Sequence, residues 1–422
     1  MHVFEIQGEN TLSGEIEVRG SKNAAATLIP ATLLTTQPCV LSNVPLIEDI
    51  FRLLDILKSM GSEVEWLEER KVRITNKDID PEKMDFALVK KIRMSILLLG
   101  ALSARFEKFR LYHPGGCVIG ARPVDAHMDA LHKLGVSIVK NESVYEVDAS
   151  KKHAATVVLR EFSVTATENA MMLAASLPGK SVIKIAAAEP HVEDLGVLLQ
   201  SMGAKISGLG THTITIEGSE HLHGAEHTII PDPIEAATFL VLGMATRSPL
   251  KVINARQDHL DLVLEKLREF GADFVFGEGY IEVIPPKKIV SPGKVKVELY
   301  PGLPTDTQSL FGVLAAVADG DTLIHDHMFE GRFNYLQGLE KMGVRSTALN
   351  PHQALIHGTG KLKGTLIRSY DLRAGASLII AALAATGTTI IEEIEQVDRG
   401  YEKIEERLQQ IGAHIVRKEI TE

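Results

Sequence analysis

One short motif occurs six times along the chain at nearly even intervals: a leucine, two variable residues, an apolar residue and a glycine. Its copies end at Gly61, Gly135, Gly203, Gly271, Gly343 and Gly412, so that consecutive glycines are 68 to 74 residues apart. Such regular spacing is typical of internal duplication. The sequence therefore predicts six similar units, which divide into two domains of three because so small an α/β unit cannot cover both faces of its sheet alone.

The segment before each glycine is predicted to be an amphipathic surface helix. Apolar residues recur at helical spacing, as in Ile50, Leu53, Leu57 and Met60 of the first copy and Tyr401, Ile404, Leu408 and Ile411 of the last. Each glycine then follows the end of its helix, where a residue without Cβ adopts the left-handed conformation at low cost.

A second helix in each unit is apolar on all sides and rich in alanine. These segments are residues 24–34, 94–104, 170–177, 236–245, 310–318 and 377–385. A helix without a polar face must be buried. β-like stretches separate the two helices, at residues 40–41, 109–111, 182–183, 250–252, 322–324 and 389–391. The predicted fold class is therefore α/β, built around buried helices.

The overall charge excludes several classes of protein. The chain has 45 basic and 55 acidic side chains, a net charge of −10, whereas general nucleic-acid or anionic-membrane binding needs a basic surface. No signal-like segment opens the chain, and its longest apolar run, residues 378–385, is too short to span a membrane. We therefore expect a cytoplasmic protein that binds any anionic ligand through a local cluster of cations.

Four cations occupy matched positions in the proposed units. Lys22 and Arg373 each precede their repeat glycine by 39 residues, and Arg122 and Arg399 precede theirs by 13. Lys22 and Arg373 lie at the starts of buried helices, where free N–H groups and the helix dipole suit phosphate and carboxylate. We expect the four cations to meet around one cleft; the alternative is that each is a solvated surface charge.

A glycine-rich loop over residues 114–125 contains Cys117, five positions before Arg122. A thiol near a cation and a helix start can be reactive, although a purely structural role is the alternative. Cys39 lies in an apolar strand and is expected in the core. The sequence has no His/Cys metal-binding spacing and no dinucleotide or ATP-binding loop, so we expect neither a metal nor an organic cofactor.

Motifs along the whole chain resemble those of the UDP-N-acetylglucosamine 1-carboxyvinyltransferases. They are residues 20–25, 93–95, the loop 114–125, 163–164 with 166–169, 304–306, 329–330 with 332–333, 371–374 and 398–402. The resemblance implies an inside-out α/β barrel of two domains, three repeated units each around buried helices. The implied domains are residues 22–230 and residues 1–21 with 231–422, so the first strand joins the C-terminal domain.

The resemblance also implies a reaction. The family transfers the enolpyruvyl group of phosphoenolpyruvate to the 3′-hydroxyl of UDP-N-acetylglucosamine and releases phosphate, the first committed step of peptidoglycan precursor synthesis. Cys117 corresponds to the proton donor and Asp306 to the base, and Lys22 is catalytic. The residues implied to hold phosphoenolpyruvate are Lys22, Asn23, Arg122, Arg373 and Arg399.

A longer set corresponds to the family's nucleotide-sugar site: Asn23, Arg93, Arg122, Pro123, Val124, Asp125, Ala126, Ser163, Val164, Asp306 and Met328. Arg332 corresponds to a residue that supports the closed cleft. Two positions depart from the family pattern. Thr165 replaces a usual glycine, so either the backbone there is not left-handed or strain is tolerated, and Glu161 replaces a frequent lysine.

Two other functions remain open at this point. A 3-phosphoshikimate enolpyruvyl transferase uses the same donor and architecture, but it lacks the cysteine loop. A protein that binds an anionic nucleotide sugar without catalysis would have no need for Lys22, Cys117, Asp306 and Arg399 together. The oligomeric state is not indicated by the sequence.

Overall fold

A computed structural model describes residues 2–115 and 123–419 of the chain. By its internal contacts the chain divides into two compact units. The first unit contains residues 20–115 and 123–230, and the second contains residues 2–19 and 231–419. The fold is mixed α/β, which confirms the predicted class.

The α-helices of the described chain alternate between long buried and shorter amphipathic segments. They are α1 (Lys22–Ala31), α2 (Glu48–Met60), α3 (Phe86–Val89), α4 (Leu98–Arg105), α5 (Asp125–Lys133), α6 (Val164–Ala175), α7 (Pro190–Ser201), α8 (Pro233–Ala245), α9 (Asp261–Glu269), α10 (Gln308–Val317), α11 (Leu336–Lys341), α12 (Leu372–Ala384), α13 (Glu395–Asp398) and α14 (Ile404–Gln410). Short 3₁₀ helices are Thr32–Leu34, Pro81–Lys83, Arg93–Leu97, Gln257–His259 and Thr305–Thr307.

The strands are short and mostly two to a hairpin. They are β1 (His2–Gln7), β2 (Gly14–Glu17), β3 (Cys39–Ser42), β4 (Glu63–Glu68), β5 (Lys71–Thr75), β6 (Lys108–Tyr112), β7 (Ser137–Lys140), β8 (Val144–Asp148), β9 (Thr156–Val158), β10 (Gly179–Lys184), β11 (Lys205–Ser207), β12 (Thr213–Gly218), β13 (Glu226–Thr228), β14 (Leu250–Ile253), β15 (Asp273–Gly277), β16 (Tyr280–Ile284), β17 (Lys294–Lys296), β18 (Asp319–His325), β19 (Arg345–Asn350), β20 (Gln353–Thr359), β21 (Leu366–Arg368), β22 (Thr388–Glu392) and β23 (His414–Glu419).

Within residues 2–115 and 123–419 the strands form six sheets, three in each unit. Those of the first unit have the strand orders β13-β3-β5-β4, β6-β8-β7 and β11-β12-β10-β9, and those of the second have β15-β16-β14-β2, β17-β18-β20-β19 and β21-β22-β1-β23. Each four-stranded sheet has one parallel pair and two antiparallel pairs.

Strand β1 lies between β22 and β23, with Phe4 opposite Ile391 on one side and Arg417 on the other. The beginning of the chain thus completes a sheet whose other strands come from its end. Both Phe4 and Ile391 are fully buried, and this apolar contact fixes the register because a one-residue slip would turn both side chains to the opposite face.

The apolar helices form the interior of each unit. In α8 every residue from Ile234 to Ala245 is buried, and α8 packs against α10 and α12 in the second unit, as α4 packs against α6 in the first. Polar residues inside α8 have partners: Glu235 forms an ion pair with Arg407 at 2.6 Å. Each buried polar group therefore needs a defined neighbour, and this requirement determines where the charged side chains can lie.

The six repeat glycines confirm the predicted helix ends. Gly61, Gly135, Gly203, Gly271, Gly343 and Gly412 all have positive φ, between 85° and 112°. The last surface helix differs from its prediction. It begins at Ile404 and not near Tyr401, because Lys403 adopts a left-handed conformation with φ 39° and ends the helical path there. Tyr401 is consequently free of helical geometry and lies buried in the second unit.

Two further expectations concern single features. Cys39 is fully buried in β3, as predicted for a core residue, and burial raises the pKa of its thiol. Among the described helices, none has both the length and the apolar character that a membrane span requires.

Candidate active site

The carboxylate of Asp306 lies between two guanidinium groups in the second unit. Arg332 donates a hydrogen bond from Nη2 to Oδ1 at 2.5 Å, and Arg373 donates one from Nη2 to Oδ2 at 3.3 Å. Both arginines are buried, whereas a quarter of the Asp306 side chain is exposed. The carboxylate is therefore the part of this cluster that solvent or a ligand can reach.

Arg373 is held in place at the start of α12. Its backbone N–H donates to the side chain of the N-cap residue Asp371 at 2.8 Å. A cation at a helix N-terminus is opposed by the helix dipole, so acidic neighbours are needed. Burial alone would lower the pKa of the Arg373 guanidinium, but the nearby Asp306 carboxylate, with smaller contributions from Tyr401 and Asp232, raises it above the ordinary value. Arg373 therefore stays charged although it is buried.

Tyr401 fixes the other end of the Arg373 guanidinium. Arg373 donates from Nη1 to the Tyr401 hydroxyl at 3.3 Å. That hydroxyl is 2.9 Å from Oγ1 of Thr238, which itself donates to the carbonyl of Ile234. Tyr401 must then donate its own proton to Thr238, since the Thr238 proton is already used. Burial raises the pKa of Tyr401 even though Arg373 lowers it, and a neutral phenol is what this chain of hydrogen bonds requires.

Asp326 connects the turn that carries Asp306 to Met328. Its fully buried carboxylate accepts hydrogen bonds from the Thr305 hydroxyl at 2.6 Å and from the Met328 backbone N–H at 2.9 Å. Thr305 begins the 3₁₀ helix that contains Asp306. One buried acid thus sets the position of two segments predicted to contact substrate.

Arg399 lies at the end of α13, two residues before Tyr401. Its guanidinium donates from Nη1 to the Gln396 side chain at 3.2 Å. Arg399 therefore belongs to the segment that supplies Tyr401, and the structure places it in the same unit as Arg373 and Asp306.

Lys22 forms a buried ion pair in the first unit. Its Nζ is 3.2 Å from Oδ2 of Asp49, and the two side chains are 12% and 2% exposed. Lys22 is the first residue of α1 after the N-cap Ser21, and Asp49 lies in the first turn of α2. Asn23 follows in the first turn of α1 and is half-buried. Asp49 holds the ammonium against the opposing dipole of α1.

Arg93 and Asp125 both act on the buried ring of Tyr145. Burial raises the pKa of Tyr145, the Arg93 guanidinium lowers it, and the Asp125 carboxylate raises it. Arg93 begins a 3₁₀ helix and Asp125 is the first residue of α5. Pro123 is exposed, Val124 half-buried and Ala126 buried just before and inside that helix. The structure therefore brings two of the predicted nucleotide-sugar segments to one side chain.

Ser163 caps α6, and its hydroxyl accepts from the Ala166 N–H at 3.4 Å. Val164 and Thr165 form the first turn. The backbone at Thr165 is right-handed helical, so the first of the two interpretations of this departure is correct and no strain arises from its Cβ. Glu161 is exposed just before this turn, and its influence on ligand binding stays untested.

Cys117 and Arg122 lie in residues 116–122, outside the described part of the chain. The predicted cluster of Lys22, Arg122, Arg373 and Arg399 therefore stays a prediction. Within each unit, the described cations among these are held by specific acidic or amide partners, which excludes freely solvated surface charges for Lys22 and Arg373.

The second unit is chemically suited to an anion. Among the described residues, the Nε atoms of Arg332 and Arg373 are buried and have no hydrogen-bond partner, and an unpaired buried donor of this kind is costly. A carboxylate or phosphate that reached these atoms would remove that cost. In residues 2–115 and 123–419 no group of three or more His, Cys, Asp and Glu side chains could hold a metal ion.

Comparison with known proteins identifies the family. Residues 6–408 match the family model described as EPSP synthase (3-phosphoshikimate 1-carboxyvinyltransferase). Among curated relatives, the UDP-N-acetylglucosamine 1-carboxyvinyltransferase of Finegoldia magna is 39% identical over the whole of both chains, and that of Proteus mirabilis is 42% identical over 99% of each. The chain belongs to the UDP-N-acetylglucosamine 1-carboxyvinyltransferase family.

Solved structures agree with this fold. The enolpyruvyl transferase NikO from Streptomyces tendae superposes with a TM-score of 0.89 at 25% identity over 99% of both chains. An EPSP synthase from Acinetobacter baumannii superposes with a TM-score of 0.74 at 20% identity, covering 99% of this chain and all of that one. The family's members thus share the α/β architecture at low sequence identity.

Four residues of the site were missed by sequence reasoning. They are Asp49, Thr238, Asp326 and Tyr401, each of which holds a predicted site residue or its turn. Tyr401 was part of a recognised motif but was interpreted as a helix residue. Asp326 and Asp49 lie far from their partners in the sequence, and only the tertiary structure brings them together.

We predict that Tyr401→Phe destabilises the second unit by about 1–3 kcal/mol, because the buried Nη1 of Arg373 loses its acceptor. Tyr280→Phe is the matched control: Tyr280 is half-buried in β16, and its hydroxyl should contribute less than about 0.5 kcal/mol. Urea unfolding of both variants followed by circular dichroism measures the difference. Equal effects of the two substitutions would contradict the role assigned to the Tyr401 hydroxyl.

Proposed function

We propose that this protein transfers the enolpyruvyl group of phosphoenolpyruvate to the 3′-hydroxyl of UDP-N-acetylglucosamine and releases phosphate. The observation that carries the proposal is the full-length similarity, at 39% to 42% identity, to curated enzymes named for this activity. The reaction is the first committed step of peptidoglycan precursor synthesis. Its participants are two small molecules, with no nucleic acid, membrane or cofactor required.

The 3-phosphoshikimate reaction is the second candidate, because the matching family model carries that description. Identity separates the two. The EPSP synthase structure is 20% identical to this chain, about half the value of the UDP-N-acetylglucosamine enzymes. The glycine-rich loop with Cys117, which resembles the latter family alone, favours the same choice.

Phosphoenolpyruvate carries a phosphate and a carboxylate, and we assign Lys22, Asn23, Arg122, Arg373 and Arg399 to its binding. Two observations support this assignment. Lys22 is kept charged and oriented by Asp49, and Arg373 has a buried Nε without a partner among the described residues. Charge-assisted hydrogen bonds from such groups to an anion are about twice as strong as neutral ones.

The proton transfers are assigned to Cys117 and Asp306. Cys117 gives its proton to the methylene carbon of phosphoenolpyruvate, which makes the adjacent carbon electrophilic. Asp306 takes the proton of the sugar 3′-hydroxyl as its oxygen bonds to that carbon. The intermediate then loses phosphate and one proton of the new methyl group, which restores the carbon–carbon double bond. The half-exposed position of Asp306 between Arg332 and Arg373 supports its access to a bound substrate.

The acceptor is assigned to Asn23, Arg93, residues 122–126, Ser163, Val164, Asp306 and Met328. Their support is the arrangement of Arg93 and Asp125 about Tyr145 and the link from Asp326 to both Thr305 and Met328. Arg332, which donates to Asp306, would support the closed state.

We propose further that the sheets and helices are six copies of one unit of roughly 70 residues, arranged as two inside-out α/β barrels. Residues 22–230 would form one domain and residues 1–21 with 231–422 the other. The shared strand pattern of the four-stranded sheets and the positive φ of all six repeat glycines support this duplication. The cytoplasmic location stays a prediction.

The proposed function predicts that phosphate release from phosphoenolpyruvate requires UDP-N-acetylglucosamine and continues in protein treated with a chelator. Shikimate 3-phosphate, added in its place, should give no release above background. The measurement is a coupled phosphate assay with each acceptor in turn. Release with shikimate 3-phosphate alone would support the second candidate instead, and activity that chelation removes and zinc or magnesium restores would refute the cofactor-free mechanism.

The assignment of Cys117 predicts that Cys117→Ser loses most turnover, because an aliphatic hydroxyl is a far weaker acid than a thiol. The epoxide fosfomycin should label Cys117 in the wild type. Cys39→Ala is the matched control, since Cys39 is fully buried and its removal should leave the labelling intact. Phosphate release by Cys117→Ser at a rate near that of the wild type would rule out Cys117 as the proton donor.

A further inference from the structure

A buried hydrogen bond joins two of the segments assigned to the acceptor. Nε2 of His127 is 2.7 Å from Oγ1 of Thr165. His127 is 4% exposed and lies in the first turn of α5, directly after Ala126. Thr165 lies in the first turn of α6, directly after Val164. The bond therefore connects the residue next to one assigned segment with the residue next to the other.

The backbone on the Thr165 side of this bond is fixed. The Thr165 carbonyl accepts from Nδ2 of Asn169 at 2.8 Å, and Oδ1 of the same side chain accepts from the Gly100 N–H at 2.6 Å. The Ser163 carbonyl accepts from the Thr167 hydroxyl at 2.8 Å. Asn169 and Thr167 are fully buried. The first turn of α6 thus presents the Thr165 hydroxyl to His127 from a rigid support.

The backbone on the His127 side is fixed as well. The His127 N–H donates to the Val124 carbonyl at 3.0 Å, so the ring is tied to the segment that enters α5. A change in the distance between the two helix starts would have to break this contact or strain both turns. The hydroxyl is a feature of this chain, because the glycine usual at this position in the family has no side chain to offer.

We propose that the Thr165–His127 pair is a positioning device for the nucleotide sugar, which sets the distance between Ser163–Val164 and Pro123–Ala126. The proposal rests on the proposed function, because it takes these two segments as the acceptor site. Its consequence is selective. Acceptor binding depends on the pair, whereas phosphoenolpyruvate binding and the turnover of the fully bound complex do not.

The test compares Thr165→Val, which keeps the shape and removes the hydroxyl, with Thr165→Ser, which keeps the hydroxyl. Calorimetric titration with UDP-N-acetylglucosamine alone should show about 3- to 10-fold weaker binding for the valine variant, the loss expected for one neutral hydrogen bond. The serine variant should stay within about twofold of the wild type. Thr165→Ala makes the same test in a residue that favours helix, should the valine variant be unstable.

Thr246→Val is the matched control. Thr246 is half-buried, its hydroxyl donates to the Leu242 carbonyl at 2.7 Å, and it ends α8 in the other unit. Its replacement removes an equivalent hydrogen bond and should leave acceptor affinity unchanged. In steady-state assays the Thr165→Val variant should raise KM for UDP-N-acetylglucosamine, with kcat and KM for phosphoenolpyruvate near wild-type values.

Each outcome bears on a defined statement. Equal acceptor affinity in Thr165→Val and the wild type would overturn this proposal alone, as would an equal loss in Thr165→Ser and Thr165→Val. A fall in thermal stability with unchanged acceptor affinity would reduce the pair to a structural contact and overturn the proposal too. A wild-type protein that does not bind UDP-N-acetylglucosamine would refute the proposed function itself.

Discussion

The buried Arg373 guanidinium and the Asp306 carboxylate form the contact on which the second unit's chemistry depends. A charge buried at the start of an apolar helix is unfavourable without acidic neighbours, and Asp306 and Asp371 supply them. Buried ion pairs contribute little net stability. Their value here is geometric, because Arg373, Asp306 and Arg332 are held in one arrangement with two buried Nε–H groups available to an anion.

The first unit solves the same problem with different residues. Lys22 begins the apolar helix α1 and is paired with the buried Asp49. Polar groups in both units gather at the starts of buried helices because the helix interiors have no place for them. The site is therefore a consequence of the core: once six helices are apolar on all sides, charged residues can lie only at their ends, where their partners come from neighbouring turns.

Much of the fold could be predicted from the sequence because its signals are local. The apolar helices, the intervening strands and the left-handed glycines each depend on a few adjacent residues, and these predictions agree with the structure. The start of the last surface helix was wrong because Tyr401 fits the helical period, yet Lys403 breaks it with a left-handed backbone. The partners Asp49 and Asp326 carry no local signal. The hydroxyl of Thr165 was noticed only as a departure, and its contact with His127 required the packing of α5 on α6.

The central claim is that Arg373 and Asp306 act as one unit in the reaction. A double-mutant cycle of Arg373→Lys and Asp306→Asn, read out as kcat/KM for phosphate release by folded protein, tests it most directly. Residues that act together show losses that are not additive. The account predicts that the double variant loses little more activity than the more damaging single variant. If the two losses instead multiply, the two residues act independently and the account is contradicted.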